Sequence, residues 1–150
     1  MTIHTFHLQA NWTGGRNDSA HIDAGNLQTT VSIPTEMGGP GIGTNPDEML
    51  LGAAATCYMI TLAAMLERSH IDATIALQST AHVDVTNGVF TYKSITHMPT
   101  IAVRHLTEPV QQKVARYAQK AEETCMISKA LRGNVALHVE ATIEAADELE

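Results

Sequence analysis

The order of hydrophobic patterns in this chain predicts an α+β fold, and three observations predict it. An uncharged apolar stretch from Met49 to Leu66 reads as one long helix. Two long strand-like runs, 73–86 and 89–103, meet at Asn87-Gly88, the preferred pair for a tight hairpin turn. A second helical stripe is then followed by a run of strict apolar/polar alternation near the C-terminus. Helices and antiparallel strands in separate runs indicate α+β rather than a parallel α/β sheet. The 150 residues most simply form a single domain, 1–150.

Taken in order, residues 3–12 and 27–33 read as strands, the second closed by Pro34. Gly14-Gly15-Arg16-Asn17-Asp18 between them is a turn-rich loop, and residues 37–44 form a second, glycine-rich loop. Asn45-Pro46-Asp47-Glu48 is a helix start: a capping side chain, Pro at the first position, and acids at the positive end of the dipole. The helix should run to about Ser69. Its apolar residues cover every face, so this chain or a partner must enclose it. The hairpin follows. A second helix opens at Thr107-Glu108-Pro109, with Val110, Val114, Ala118, Ala121 and Cys125 on one core-facing stripe. After Gly133-Asn134, the apolar positions Val135, Leu137, Val139, Ala141 and Ile143 mark a half-buried strand. Glu144 to Glu150 is expected to be a solvated, frayed tail.

Composition narrows the function. A formal charge of −7 lacks the basic stripe that nucleic-acid or anionic-membrane binding requires. Aromatics are scarce at 4%, so aliphatic side chains, alanine and seven methionines must fill the core. Met49–Leu66 is about long enough to span a bilayer. It is rich in Ala, Gly and Thr and sits in an otherwise amphipathic chain, so a buried central helix is expected instead. Met1 to His7 has neither a basic nor an apolar signal region. Two cysteines are too few for a disulfide scaffold, and a reducing cytoplasm is the expected compartment. The eight histidines suggest metal, but there is no CxxC or HExxH, and His82, His97 and His138 fall on separate strands. His4 and His7 point to opposite faces of a strand. The glycine loop at 38–43 lacks the Gly-Lys-[Ser/Thr] ending of a phosphate loop. Lys129 and Arg132 read as solvated, and Tyr58 and Met59 as core.

Two cysteines alone are more often packing residues than a redox pair. Their settings favour different roles. Cys57 lies about three turns inside its helix, beyond the reach of the dipole, so a side-chain cation is needed to favour its thiolate. Arg16 is the candidate. Cys125, near a helix C-terminus, is poorly placed to ionise and better placed to resolve a sulfenic acid.

Gly14-Gly15-Arg16, Pro34, Gly38-Gly39, Gly43-Thr44-Asn45-Pro46, the ten-residue step from Asp47 to Cys57, and Cys125 through Asn134 together carry a resemblance. Over nearly its whole length the chain resembles the OsmC/Ohr superfamily of thiol peroxidases, on the organic-hydroperoxide-resistance side. The resemblance implies antiparallel sheets wrapped around long central helices in an intertwined homodimer, with sites at the subunit interface. It implies that Cys57 is the peroxidatic cysteine and Cys125 the resolving one, joined in a disulfide during turnover. Arg16 would bind peroxide and stabilise the thiolate, and Asp47 would be its acidic partner. Most relatives have glutamate at that position, so either Asp47 or the neighbouring Glu48 is placed to hold Arg16. Met126 stands where many relatives have proline. The implied substrates are organic hydroperoxides, and the implied reductant is a lipoyl-type dithiol or a small thiol. No flavin, haem or metal is implied. The rival reading is a non-turnover thiol-reactive sensor, or a small-molecule or lipid-binding protein of the same fold. A third is a structural interaction module with inert core cysteines.

Overall fold

The computed structural model describes residues 1–146. The chain forms two compact units, Met1–Leu50 and Leu51–Glu150.

The first unit is built on a three-stranded antiparallel sheet in the order β1-β2-β3: Gln9–Ala10, Ala20–Ala24 and Leu27–Val31. The first strand is much shorter than the expected 3–12. Ile3, Phe6 and Leu8 stay exposed among the described residues, so the apolar positions that suggested a strand are not buried there. Strand β2 was not expected from the sequence. Only its Ala20 and Ile22 are buried, a pattern too short and too poor in branched residues to register. Gly25 turns β2 into β3 with φ of 66°. Buried Ser32 then organises the glycine-rich loop: its hydroxyl donates to the Ile42 carbonyl at 2.8 Å and accepts from the Ile42 amide at 2.7 Å. The Thr44 amide donates to the Thr30 carbonyl at 2.9 Å. Gly43 is required there: its φ is 72°, and a Cβ would sit 2.1 Å from the Thr30 oxygen.

Helix α1, Pro46–Arg68, starts as its sequence dictates. The Asn45 side-chain oxygen accepts from the Glu48 amide at 2.9 Å. Beyond the first turn the helix belongs to the second unit, and there it buries one stripe only: Ala54, Tyr58, Leu62 and Leu66. Gly52, Thr56, Ile60 and Ala63 on another face remain exposed, Ile60 at 70%. Enclosure on every side is therefore not supplied by the described residues. Among the described residues this is the one helix long and apolar enough to cross a membrane, but its Tyr58–Leu66 stripe packs in the protein core.

Strands β4 (Ala73–Thr86) and β5 (Val89–Val103) form the expected hairpin, with bounds as the sequence indicated. Asn87 and Gly88 both have positive φ, 52° and 76°, the signature of the twist-matched two-residue turn. Helix α2, Glu108–Thr124, is capped by the Thr107 hydroxyl, which accepts from the Val110 amide at 3.3 Å. A short helix α3, Met126–Leu131, follows at once. The closing strand is split into β6, Ala136–Val139, and β7, Thr142–Ala145. Both pair with β5 in parallel, so the sheet is mixed rather than purely antiparallel. The reason is the α2–α3 crossover, which returns the chain to the end of the sheet where β5 began. The split falls opposite Met98-Pro99, since β6 ends at the partner of His97 and β7 resumes at the partner of Thr100. Proline has no amide to donate there. Glu144 and Ala145 are paired with Ala102 and Val103 rather than frayed. The rest of the expected tail, 147–150, lies outside the described residues.

The core joins Tyr58, Leu62 and Leu66 of α1, Ile101 and Val103 of β5, and Val114, Ala118 and Ala121 of α2. The predicted α2 stripe is thus buried from Val114 to Ala121, with Val110 half-buried, and Cys125 at its end is fully enclosed.

Candidate thiol site

The two cysteines come from elements that the core clamps together. Tyr58, next to Cys57, is fully buried and donates its hydroxyl to the Ala118 carbonyl of α2 at 2.8 Å. Its ring stacks on His97 with centroids 4.7 Å apart. Cys57 is half-buried and Cys125 buried, both are free thiols, and each shifts the acidity of the other.

Their environments push the two thiols apart in acidity. Burial pushes the Cys57 thiol up. It is outweighed by hydrogen bonds from the Cys125 thiol, the amides of Ile127 and Met126, and Thr61, so Cys57 lies below its ordinary value. Thr61 is one turn further along α1, and its hydroxyl also donates to the Cys57 carbonyl at 2.8 Å. Cys125 is raised, first by burial and then by donating to Cys57. The Ser128 amide and hydroxyl and the Ile127 amide oppose this without reversing it. The Ser128 hydroxyl is itself buried, with no well-aligned hydrogen-bond partner among the described residues. Beside the side-chain cation expected from the sequence, the start of α3 supplies backbone donors that favour the Cys57 thiolate.

Those donors exist because the chain breaks at Cys125. That residue ends α2 and precedes α3, with φ −59° and ψ 130°, so the first amides of α3 are free of helical bonds. Arg132, at the far end of α3, is exposed as expected and is also engaged. Its guanidinium donates to the Glu123 carbonyl at 3.2 Å, the Glu122 carbonyl at 3.3 Å and the Glu122 carboxylate at 2.5 Å. Nothing in the sequence around 124–126 marks the break, since neither Gly nor Pro is present. Thr61 was not singled out from the sequence, although its place four residues after Cys57 on a helix is the signal that would have found it.

Arg16 and Asp47 lie in the first unit. The Arg16 guanidinium donates to the Met37 carbonyl at 3.0 Å, the Gly38 carbonyl at 3.5 Å and Asn17 Oδ1 at 2.8 Å. It thereby ties the two expected loops together. Asp47 is half-buried in the first turn of α1. The neighbouring Glu48 carboxylate accepts from the Thr44 hydroxyl at 2.7 Å. Among the described residues no His/Cys/Asp/Glu cluster suits a metal ion. Buried His97 bonds Ser79 at 2.7 Å through Nδ1, and burial holds its imidazole below the usual value.

Residues 38–140 match the family model of OsmC-like proteins. The uncharacterized protein YmaD of Bacillus subtilis is 53% identical over 152 residues, covering 99% of this chain and all of that one. The organic hydroperoxide resistance protein of Xanthomonas axonopodis pv. citri is 28% identical over 136 residues, 89% of this chain and 90% of its own. The crystal structure of an organic hydroperoxide resistance protein OsmC from Legionella pneumophila superposes with a TM-score of 0.77 at 25% identity, over 95% of this chain and 99% of that one. An α+β architecture shared with such structures, and a family match running from the glycine-rich loop through both cysteines to β6, make this chain a member of the OsmC-like family within the OsmC/Ohr superfamily.

Proposed function

We propose that the protein is a cysteine-based peroxidase that reduces organic hydroperoxides to alcohols. The observation that carries this reading is the cysteine pair: two free thiols in contact, one more acidic than usual and one less. Names of relatives such as the Xanthomonas protein support the substrate class.

The Cys57 thiolate attacks the outer peroxide oxygen. The O–O bond breaks, Cys57 becomes a sulfenic acid, and the alkoxide takes a proton to leave as alcohol. Cys125, whose proton is retained until then, attacks the Cys57 sulfur. A disulfide forms and water leaves. A dithiol, lipoyl-type or small, then exchanges with the disulfide and is itself oxidised. Arg16 is assigned to the peroxide and to the thiolate, and Asp47 to Arg16. The exposed Gly52-Thr56-Ile60-Ala63 face of α1 supports a homodimer in which a second copy covers it. A cytoplasmic location follows from the need for a reducing thiol pool.

The test is consumption of cumene hydroperoxide with dihydrolipoamide by the native chain, Cys57→Ser, Cys125→Ser and Arg16→Ala. Expected are turnover by the native chain, none by Cys57→Ser, and a trapped sulfenic acid in Cys125→Ser. Arg16→Ala should titrate Cys57 at higher pH and oxidise more slowly. At most one stoichiometric event by the native chain would move the function to a thiol-reactive sensor or lipid-binding protein.

A further inference from the structure

Resting on the peroxidase reading of the cysteine pair, we propose that Arg132, working with Glu122, is the positioning residue that holds the Cys125 corner closed against Cys57. The chain changes direction at a single residue in extended conformation, between two helices. The main-chain bonds of Cys125 fix it to each helix separately: its amide donates to Ala121 at 2.9 Å, and its carbonyl accepts from Lys129 at 3.0 Å. Neither bond sets the angle between α2 and α3.

Arg132 does set it. Its backbone is anchored to the end of α3 by donation to the Ser128 carbonyl at 2.9 Å. Its guanidinium reaches back to the last turn of α2, where the Glu122 and Glu123 carbonyls lack intrahelical donors. The Glu122 carboxylate, only 13% exposed, completes the grip. A planar fork suits three acceptors at once, as a lysine ammonium does not. What the closed corner positions is the Cys125 thiol together with the Met126 and Ile127 amides, the groups that favour the Cys57 thiolate. Arg132 touches neither sulfur and acts through the backbone.

The experiment follows disulfide closure in the reduced full-length protein, quenched at intervals with an alkylating reagent. Two oxidants are used in parallel. Diamide accepts two electrons and two protons from the thiol pair, and one equivalent of cumene hydroperoxide drives the proposed catalytic route. Arg132→Met should slow closure about tenfold with either oxidant, as expected for a reacting group displaced by a fraction of an ångström. Arg132→Lys should recover part of the rate. Val114→Ala, a core truncation in the middle of α2, should close at the native rate wherever circular dichroism shows it folded. Glu122→Gln leaves both carbonyl contacts in place and should slow closure roughly threefold, which serves if Arg132→Met does not fold. Native-rate closure in Arg132→Met, or in Glu122→Gln where that variant stands in, overturns the proposal. So does an equal slowing in Val114→Ala. A native chain that closes with diamide but not with hydroperoxide refutes the peroxidase reading instead, and the diamide rates still decide the role of Arg132.

Discussion

Replacing Tyr58 by Phe removes one oxygen from the contact between the helices that carry the two cysteines. The ring is fully buried, and Phe keeps its area and its stack on His97. Only the 2.8 Å bond to the Ala118 carbonyl is lost. That carbonyl lies inside α2 and keeps an intrahelical donor, so no buried acceptor is orphaned. The net loss near neutral pH is therefore about 1 kcal/mol, or a melting point lower by about 2–4 °C. The alkaline limb should behave differently. Burial, and then the Glu122 carboxylate, push the Tyr58 phenol above its ordinary value. As pH rises past about 10, the unfolded phenol ionises while the folded one keeps its proton. The native protein then loses up to about 1.4 kcal/mol of stability per further pH unit through this group. Tyr58→Phe has no such loss. The gap between the two should shrink above pH ~10 and change sign by pH ~11, and all other titrations cancel in the difference. The assay is urea unfolding of both proteins, reduced and at one concentration, from pH ~7 to ~11. A gap that stays constant across this range refutes the argument. A neutral-pH loss above about 3 kcal/mol would show that the hydroxyl holds more than one bond.

Burial depresses the His97 imidazole, so the folded state resists a proton that the unfolded state takes up below pH ~6.5. Stability contributed through this group is present above that pH and is lost on acidification. His97→Phe should cost about 1 kcal/mol at neutral pH, by leaving Ser79 unpaired, yet flatten the acid limb; parallel urea midpoints at pH ~7 and ~5 would contradict this. Gly43→Ala should destabilise by at least about 2 kcal/mol in thermal unfolding, because the residue needs positive φ and the new methyl meets the Thr30 oxygen; a native melting point would disprove the close approach. Ile60→Asp places a charge on the open face of α1 and should give a monomer by light scattering where the native chain gives the proposed dimer; equal masses for the two would refute that proposal for this face.

What the sequence made legible was whatever short-range chemistry decides. The hairpin follows from Asn87-Gly88 and its flanking alternation, and both strands end where those signals place them. The start of α1 follows from Asn45-Pro46, and the buried face of α2 from a repeat ending at Cys125. The pairing direction of β6 and β7 was not local information. It depends on how far the α2–α3 crossover carries the chain, and alternation is the same in parallel and antiparallel strands. The short β2 escaped for the converse reason, having too few apolar residues to produce a period.

The thiol site divides along the same line, and the division bears on how such a site is to be read. Two cysteines at separated positions were visible, and the core contacts of Tyr58 and Ala118 explain why they meet. The acidity of Cys57 was harder to read, because its strongest local cue, the dipole of its own helix, is spent three turns earlier. The donors that replace it are the amides of Met126 and Ile127, which any sequence offers and only a break in the helix makes available. That break has no glycine or proline to announce it. It is held by an arginine six residues downstream of the first freed amide, reaching back to carbonyls of the previous helix. Arg132 is exposed, as its charge suggests, yet also engaged, since its partners are two main-chain oxygens and the Glu122 carboxylate, a pairing that no composition reveals. Cys57 thus takes its acidity first from the Cys125 thiol and then from backbone groups, and the placement of both rests on a residue that touches neither sulfur. Substitutions at Arg132 should therefore perturb the thiol pair more than those at the more exposed Met126, whose amide survives any replacement except proline.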